Sequence, residues 1–576
     1  MKVVLAAVNA KFIHSNLAVK YLQAYTKDIN YDCSILEFSI NDKRERVLES
    51  LVSEKPDVLA FSCYIWNIEY VKYLACHFRL INTNCIILYG GPEVSFDAEA
   101  FLKSNVGDLV IQGEGEETFR QLILCINKDW EIYDRNILEV IKNFKIKGLI
   151  SKIGKEIYNP GARELIDIEK IKFPYNDEVE MNNKIIYYEA SRGCPFNCKY
   201  CLSSTSHGVR FLNIKRIKQE LNFFIQRKVK LVKFVDRTFN CNKEFAMELW
   251  SFLINLKPET KFHFEISADL LSKEEIELLK SAPKDLFQFE VGVQTTNNLV
   301  LKNITRYVNF NDIKEKVSEL KKLNNIKQHL DLIAGLPGEN FESFKKSFND
   351  VYTIGPEEIQ LGFLKLLKGS RMREEAAEWG MVYSPEPPYE ILKTSKISYE
   401  ELIDLKRVEE VLDKYYNSNK FQNILNYFIP KFESPFQFYY ELGQFCHREG
   451  WLSRSISSAD YYKIFIDFFE KNFNEDALTL KEIIKYDYLK YNKKKWLPTF
   501  LNREINKEVE RNIKNSIKAG KLEVNENVHI ERFFINMKAL FEKEKVEFGN
   551  YYLLFEEDND EIIELQYING EVLVCQ

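Results

Sequence analysis

Short apolar runs separated by longer stretches with helical periodicity fill the first ~165 residues. Val3–Val8, Val58–Ser62, Ile86–Tyr89 and Leu109–Ile111 read as strands buried on both faces. The alternation predicts a parallel sheet with crossover helices. A second strand–helix series spans 180–370, with strand candidates Ile185–Glu189, Leu231–Asp236, Lys261–Ser267, Leu286–Val293, Gln328–Ile333 and Glu358–Phe363. Six such units predict a partial (β/α)6 barrel. From 371 to 576 the pattern is mainly helical and closes on a hairpin, Tyr551–Phe555 and Ile562–Tyr567, around Glu557-Asp558-Asn559-Asp560. The fold class is α/β in three parts: a Rossmann-like domain at 1–165, the barrel at 180–370 and a mostly helical domain at 371–576.

Composition narrows the function classes. With 80 Lys+Arg against 86 Asp+Glu the net charge is −6, without the basic excess of a dedicated nucleic-acid binder. Segment 490–521 holds ten basic and three acidic residues and segment 541–576 two and ten, which reads as solvated faces. No apolar run reaches the ~18–20 residues of a membrane helix. Val3–Val8 is too short for a signal-peptide core, so a cytoplasmic location is expected. The 42 Phe and 31 Tyr call for large aromatic cores or pockets.

Three of the eleven cysteines stand apart: Cys194, Cys198 and Cys201 form a C-x3-C-x2-C run just after the first barrel strand. Three thiolates so spaced suit three corners of a 4Fe-4S cluster, leaving one iron open to chelate a small molecule. A tetrahedral zinc site needs a fourth ligand, for which His207 is nearest, and three buried structural thiols are the plain alternative. Position favours the cluster, because catalytic groups of βα barrels sit at the carboxyl ends of strands. Period-2 alternation supplies further support. It puts His263, Glu265 and Ser267 on one face of a strand, Gln288, Glu290, Gly292 and Gln294 on the next, and His329 and Asp331 on the one after. A lumen lined by these groups is polar, as a barrel enclosing a ligand requires.

With Tyr200 in its aromatic place, the cysteine run resembles the signature of the radical S-adenosylmethionine (SAM) superfamily. The resemblance implies that the open iron binds the amino and carboxylate groups of S-adenosyl-L-methionine, and that an electron from the cluster generates a 5′-deoxyadenosyl radical. It further implies that Glu265 meets the methionyl group, Arg306 pairs its carboxylate, and Gln294 and Asp331 contact the ribose. The loop Asp236-Arg237-Thr238-Phe239-Asn240 at the barrel mouth is read as mixed cofactor and substrate contact, with Asp236, Arg237 and Asn240 facing substrate. Cys63 and Cys241 are candidates to quench the product radical, as is Tyr64.

The segments Asn9–Ser15, Ser62–Asn67, Gly90-Gly91-Pro92 and Gly113-Glu114-Gly115-Glu116 resemble the cobalamin-binding domain that precedes many such barrels. Neither His14 nor His77 sits in the D-x-H-x-x-G run of domains that bind the metal through histidine. Two readings follow. The domain binds cobalamin without that histidine, or it has kept the sheet and roofs the substrate with Asn9, His14, Tyr64 and Trp66. The tail, including Leu367–Ser370 and Tyr415–Ser418, resembles an uncharacterised C-terminal domain of one subgroup. Within that subgroup the queuine lyases look most similar, which implies release of 7-aminomethyl-7-deazaguanine from a purine-like substrate. The alternatives are a cobalamin-dependent methyltransferase, a transfer-RNA-modifying radical enzyme and a zinc-binding interaction protein. The expected partners are a small-molecule substrate and an external flavodoxin- or ferredoxin-type reductant, with no membrane or nucleic acid.

Overall fold

The computed structural model describes residues 1–129, 141, 144–176, 181, 183–205, 208–473, 477–492, 496–501, 506–522, 528–556, 562–568 and 571–574. These separate into two compact units, one made of Met1–Ser347, Ile354–Pro356 and Leu361–Tyr399, the other of Phe348–Thr353, Glu357–Gln360 and Glu400–Gln576.

The first unit opens with a seven-stranded sheet: β1 (Lys2–Asn9), β2 (Asp32–Ser39), β3 (Val58–Ser62), β4 (Ile86–Gly90), β5 (Leu109–Ile111), β6 (Leu149–Ile153) and β7 (Glu156–Tyr158), in the order β2-β1-β3-β4-β5-β6-β7. The pairs from β2 to β5 are parallel, and β6 and β7 add antiparallel. The central strands are buried on both faces, with separate apolar clusters above and below, as their unbroken apolar runs predict. The three strands not anticipated are at the edges, where Asp32, Ser34 and Glu37 interrupt β2 and its side chains are only partly covered.

The barrel follows as β8 (Ile186–Tyr188), a hairpin of β9 (Ser191–Cys194) and β10 (Gly208–Phe211), then β11 (Leu231–Phe234), β12 (Lys261–Ile266), β13 (Phe287–Gln294), β14 (Lys327–Ala334) and β15 (Glu358–Phe363). The six-stranded sheet runs β15-β14-β13-β12-β11-β8, with parallel pairing from β8 through β14. Burial alternates strictly along β14 and along β13 up to Val293, after which Gln294 is buried as well. Phe264, Phe287 and Phe289 form one apolar layer with Trp250 (ring centroids 5.5 Å from Phe289 and 6.3 Å from Phe264). The opposite faces carry Glu265, Glu290 and Asp331, so the polar lumen is present.

In the second unit, helices Gln422–Phe428, Pro435–Arg448, Ser458–Asn472 and Leu478–Tyr491 precede a four-stranded antiparallel sheet, His529–Ile535, Phe548–Phe555, Ile562–Ile568 and Glu571–Val574. The expected hairpin is its central pair; the four turn residues 557–560 lie outside the described residues. Much of the phenylalanine surplus packs here: Phe428 lies 5.8 Å from Phe438 and 5.4 Å from Phe465 between ring centroids. Among the described residues no helix is long and apolar enough to cross a membrane.

Candidate active site

The cysteine loop hangs between β9 and a short turn, Leu202–Thr205, and its backbone is held from two sides. The Lys199 amide donates to the Ile304 carbonyl (3.0 Å), and the Lys199 carbonyl accepts from the Met372 amide (2.9 Å). All three sulfurs face a cavity of about 190 Å3 in the barrel mouth that Tyr200, Glu265, Gln294, Arg306 and Asp331 also line. The groups assigned by resemblance to S-adenosylmethionine therefore share one cavity with the trio, although they come from four separate stretches of chain. Arg306 is 3.9 Å from the Cys198 sulfur and donates to the Gly292 carbonyl (2.6 Å). The Ser203 amide donates to Cys201 (3.4 Å). Burial pushes the Cys198 thiol up, and Arg306 works against that push.

The residues present fit the cofactors. Cys194, Cys198 and Cys201 supply one soft donor each to a shared cavity, and among the described residues no three His, Cys, Asp or Glu converge tightly enough to hold a single metal ion. The zinc alternative depends on His207, which lies outside the described residues. Two buried polar atoms of the cavity, Gln294 Oε1 and Arg306 Nε, have no partner among the described residues, a costly condition unless a ligand meets them. Gln294 sits in the left-handed region (φ 68°) at a register shift of β13, which turns its amide toward the lumen. A Cβ at Gly292 would stand 2.2 Å from the Gln294 amide nitrogen, so that close approach requires glycine.

Below Glu265 lies a charge array that sequence reading left unassigned. Glu290 pairs with Lys233 (3.0 Å) and His263 (2.9 Å). Burial would raise its pKa, but the hydrogen bond to His263 and the Lys233 ammonium outweigh it and hold the carboxyl down at about 2. Burial raises the Glu265 carboxyl, which Arg237 opposes from 3.9 Å.

A second cavity of about 380 Å3 opens beyond the carboxyl ends of β3, β4 and β5, where open α/β sheets bind ligands. Its walls are mostly small or apolar, Ser62, Gly90, Gly91, Ser95, Gly113 and Gly115 beside Leu5, Leu88 and Phe96, with Glu114, Glu116 and Arg192 also on its lining. Gly91 (φ 113°) has no room for a side chain, since a Cβ would fall 2.5 Å from the Cys63 carbonyl. Such a slot fits the flat nucleotide tail of a corrinoid. Leu202, next to Cys201, also lines it.

Between the two lies a third chamber of about 490 Å3. Five expected substrate contacts, Asn9, His14, Tyr64, Trp66 and Arg237, line it together with Tyr187, Glu189 and Arg192. The last three carried no sequence signal beyond their strand positions. Tyr64 and Trp66 stack with centroids 4.4 Å apart and planes 5° apart. His14 Nδ1 meets the Tyr187 hydroxyl at 2.6 Å, and burial lowers the His14 pKa, helped by Lys11, Lys233 and Lys184.

Four other residues need correction. Asp236 is buried, and its carboxylate accepts from the Ala190 amide (3.0 Å) and the Ser191 hydroxyl (2.5 Å). Asn240 exchanges two 2.9 Å bonds with the Ser267 backbone. Both brace the loop and line none of the three cavities. Cys63, fully buried under Gly91, and Cys241, half-buried with a thiol pushed up to about 11 by burial, also stay out of the walls.

Comparison with known proteins agrees with this geometry. Residues 3–123 match the family described as B12 binding domain, 188–351 the Radical SAM superfamily, and 377–555 a protein of unknown function (DUF4080). The chain combines a B12-binding domain with a radical SAM barrel. It is 27% identical over 249 residues, 40% of this chain and 51% of the relative, to an uncharacterized methyltransferase (PH0819) of Pyrococcus horikoshii. It is 24% identical over 358 residues, 58% of this chain and 51% of the relative, to the cobalamin-dependent radical SAM methyltransferase TokK of Streptomyces tokunonensis. The chain thus spans about half the length of these curated relatives. The radical SAM methyltransferase TsrM of Kitasatospora setae, solved with cobalamin and a [4Fe-4S] cluster, shares the fold at TM-score 0.57 and 15% identity, covering 68% of this chain and 82% of that one. These relatives give no support to the queuine-lyase expectation or to ranking a lyase above a methyltransferase. The missing D-x-H-x-x-G run bears only on a histidine ligand to the metal. The B12-binding domain itself is matched without it.

Proposed function

We propose that this radical SAM, B12-binding chain is a cobalamin-dependent methyltransferase acting on a small molecule. The observation that carries the reading is that the three cavities share walls. Arg237 lines both the cysteine cavity and the central chamber, and Tyr64, Glu116 and Arg192 line both the chamber and the sheet-edge slot. A substrate in the chamber borders both cofactor pockets. TokK, a cobalamin-dependent radical SAM methyltransferase, supports the same choice.

Bound cofactors would supply the radical that activates a substrate carbon and the methyl group delivered to it. Cys194, Cys198 and Cys201 would hold the cluster. Arg306 would pair the methionyl carboxylate and Glu265 its ammonium, while Gln294 and Asp331 would receive the ribose hydroxyls. Ser62, Gly91 and Ser95 would line the corrinoid tail slot, and Tyr64 and Trp66 would cover the chamber and limit water. The electron would come from an external flavodoxin- or ferredoxin-type reductant.

The test is anaerobic reconstitution with iron, sulfide and hydroxocobalamin, followed by desalting. A retained corrinoid absorbance near one equivalent is expected, strongly reduced by Gly91→Val, with 5′-deoxyadenosine formed on adding SAM and dithionite. Cluster-loaded protein that makes 5′-deoxyadenosine yet retains no corrinoid would overturn the methyltransferase reading.

A further inference from the structure

The charges around the central chamber are unevenly satisfied. Arg192 is enclosed by carboxylates, Glu116 and Glu189 each at 2.8 Å and Glu114 at 3.5 Å, and Arg210 pairs Glu114 as well, so three acids occupy two cations and Arg192 has no donor to spare for an anion. Lys233 is held by Glu290, and burial and nearby lysines lower the His14 pKa. Arg237 differs. Its side chain is 56% exposed, and among the described residues its nearest ion-pair contact is Glu265 at 3.9 Å, beyond hydrogen-bond range. Glu265 is also the group read above as the partner of the methionyl ammonium. Once so engaged, it leaves the guanidinium without a counter-charge on the wall between cofactor and substrate. The same chamber is lined by the Tyr64–Trp66 stack, its indole anchored by a bond from Nε1 to the Val8 carbonyl (3.3 Å). A planar fork with free donors and a fixed aromatic pair, facing one chamber of about 490 Å3, match a ring bearing an anionic group.

We propose that the chamber binds a planar aromatic carboxylate, with its ring against Tyr64 and Trp66 and its carboxylate forked by Arg237. This deepens the methyltransferase reading and rests on the cysteine cavity being the SAM pocket, not on cobalamin. A guanidinium presents two parallel N–H donors to a carboxylate, whereas a neutral amide offers one acceptor and an NH2 that opposes them. Discrimination between a carboxylic acid and its amide is therefore the property to read.

The experiment uses cluster-reconstituted, SAM-saturated full-length protein and two matched probe pairs, indole-3-carboxylate with indole-3-carboxamide and benzoate with benzamide, with affinities from ligand-detected NMR. Each acid is expected to bind about tenfold or more tighter than its amide, the scale of one charge-assisted pair. Arg237→Gln should bring the pair to parity at saturating SAM, and Arg237→Lys should keep part of the preference. Trp66→Ala should weaken acid and amide alike. Equal binding of acid and amide to the wild type, or a preference that survives Arg237→Gln, would each overturn the proposal. Corrinoid retention is measured in parallel. If it fails while the acid preference holds, the methyltransferase reading falls and the chamber assignment stands.

Discussion

Single residues decide the chemistry of the barrel mouth. Cys198 lies buried beside Arg306, and replacing it with alanine removes one of three cluster corners. Cys198→Ala is expected to lose most of its iron and sulfide and to form no 5′-deoxyadenosine, checked by metal analysis and product chromatography; a variant that still made it would refute the cluster assignment. Glu339 makes a different point. It is buried, accepts hydrogen bonds from the Thr295 (2.6 Å) and Ser347 (3.5 Å) hydroxyls, and burial outweighs those donors to push its carboxyl up to about 7. A raised folded-state pKa means the folded chain holds the proton more tightly. That stability is full below about pH 4 and is lost as pH rises toward 7. The shift corresponds to about 3 kcal/mol. Glu339→Gln should flatten the decline in melting temperature between pH 5 and 8; an unchanged slope would place the titration elsewhere. The motif Gly335-Leu336-Pro337-Gly338 marked this turn as a breaker, but nothing in one sequence shows that the glutamate behind it folds inward, because its shortest hydrogen bond comes from Thr295, 44 residues earlier.

At the scale of elements, the stretch after the last barrel strand ties the sheet-edge slot to the cysteine loop. Lys368 reaches Glu93 (3.2 Å) and Asp97 (3.0 Å) beside the slot, and the Tyr389 hydroxyl also donates to Glu93, while Met372 and Glu375 hold Lys199 between the cluster cysteines. Glu93 is 5% exposed, so it depends on these partners. Lys368→Met is expected to cost about 2–4 kcal/mol in denaturant unfolding and to weaken corrinoid retention, and adding Glu93→Gln should recover part of both. Full additivity of the two substitutions would argue against the coupling. The sequence reading placed Leu367–Ser370 in the tail by resemblance. Its contacts with residues more than 270 positions earlier follow from chain reversal that no local pattern encodes.

For the whole molecule, all three cavities are lined by residues of the first unit, whereas the second unit concentrates aromatic core. Phe428→Ala should cost about 3–5 kcal/mol in the unfolding of the second unit and leave SAM binding by the first unchanged, readable by urea titration with calorimetry of the ligand. Loss of SAM binding would show that the second unit shapes the site. The sequence by itself determined the two strand–helix series and the inward faces of β12, β13 and β14, because full burial and period-2 alternation are local consequences of sheet geometry. It also singled out the cysteine trio, whose three donors lie within eight residues. Only the tertiary structure decided that Asp236 and Asn240 brace a loop, that Gln294 turns into the lumen at a bulge, and that Arg237 stands without a close counter-charge between two cavities. Those outcomes depend on which polar groups the folded chain brings within hydrogen-bond reach, and that is a property of distance in space rather than of spacing along the sequence.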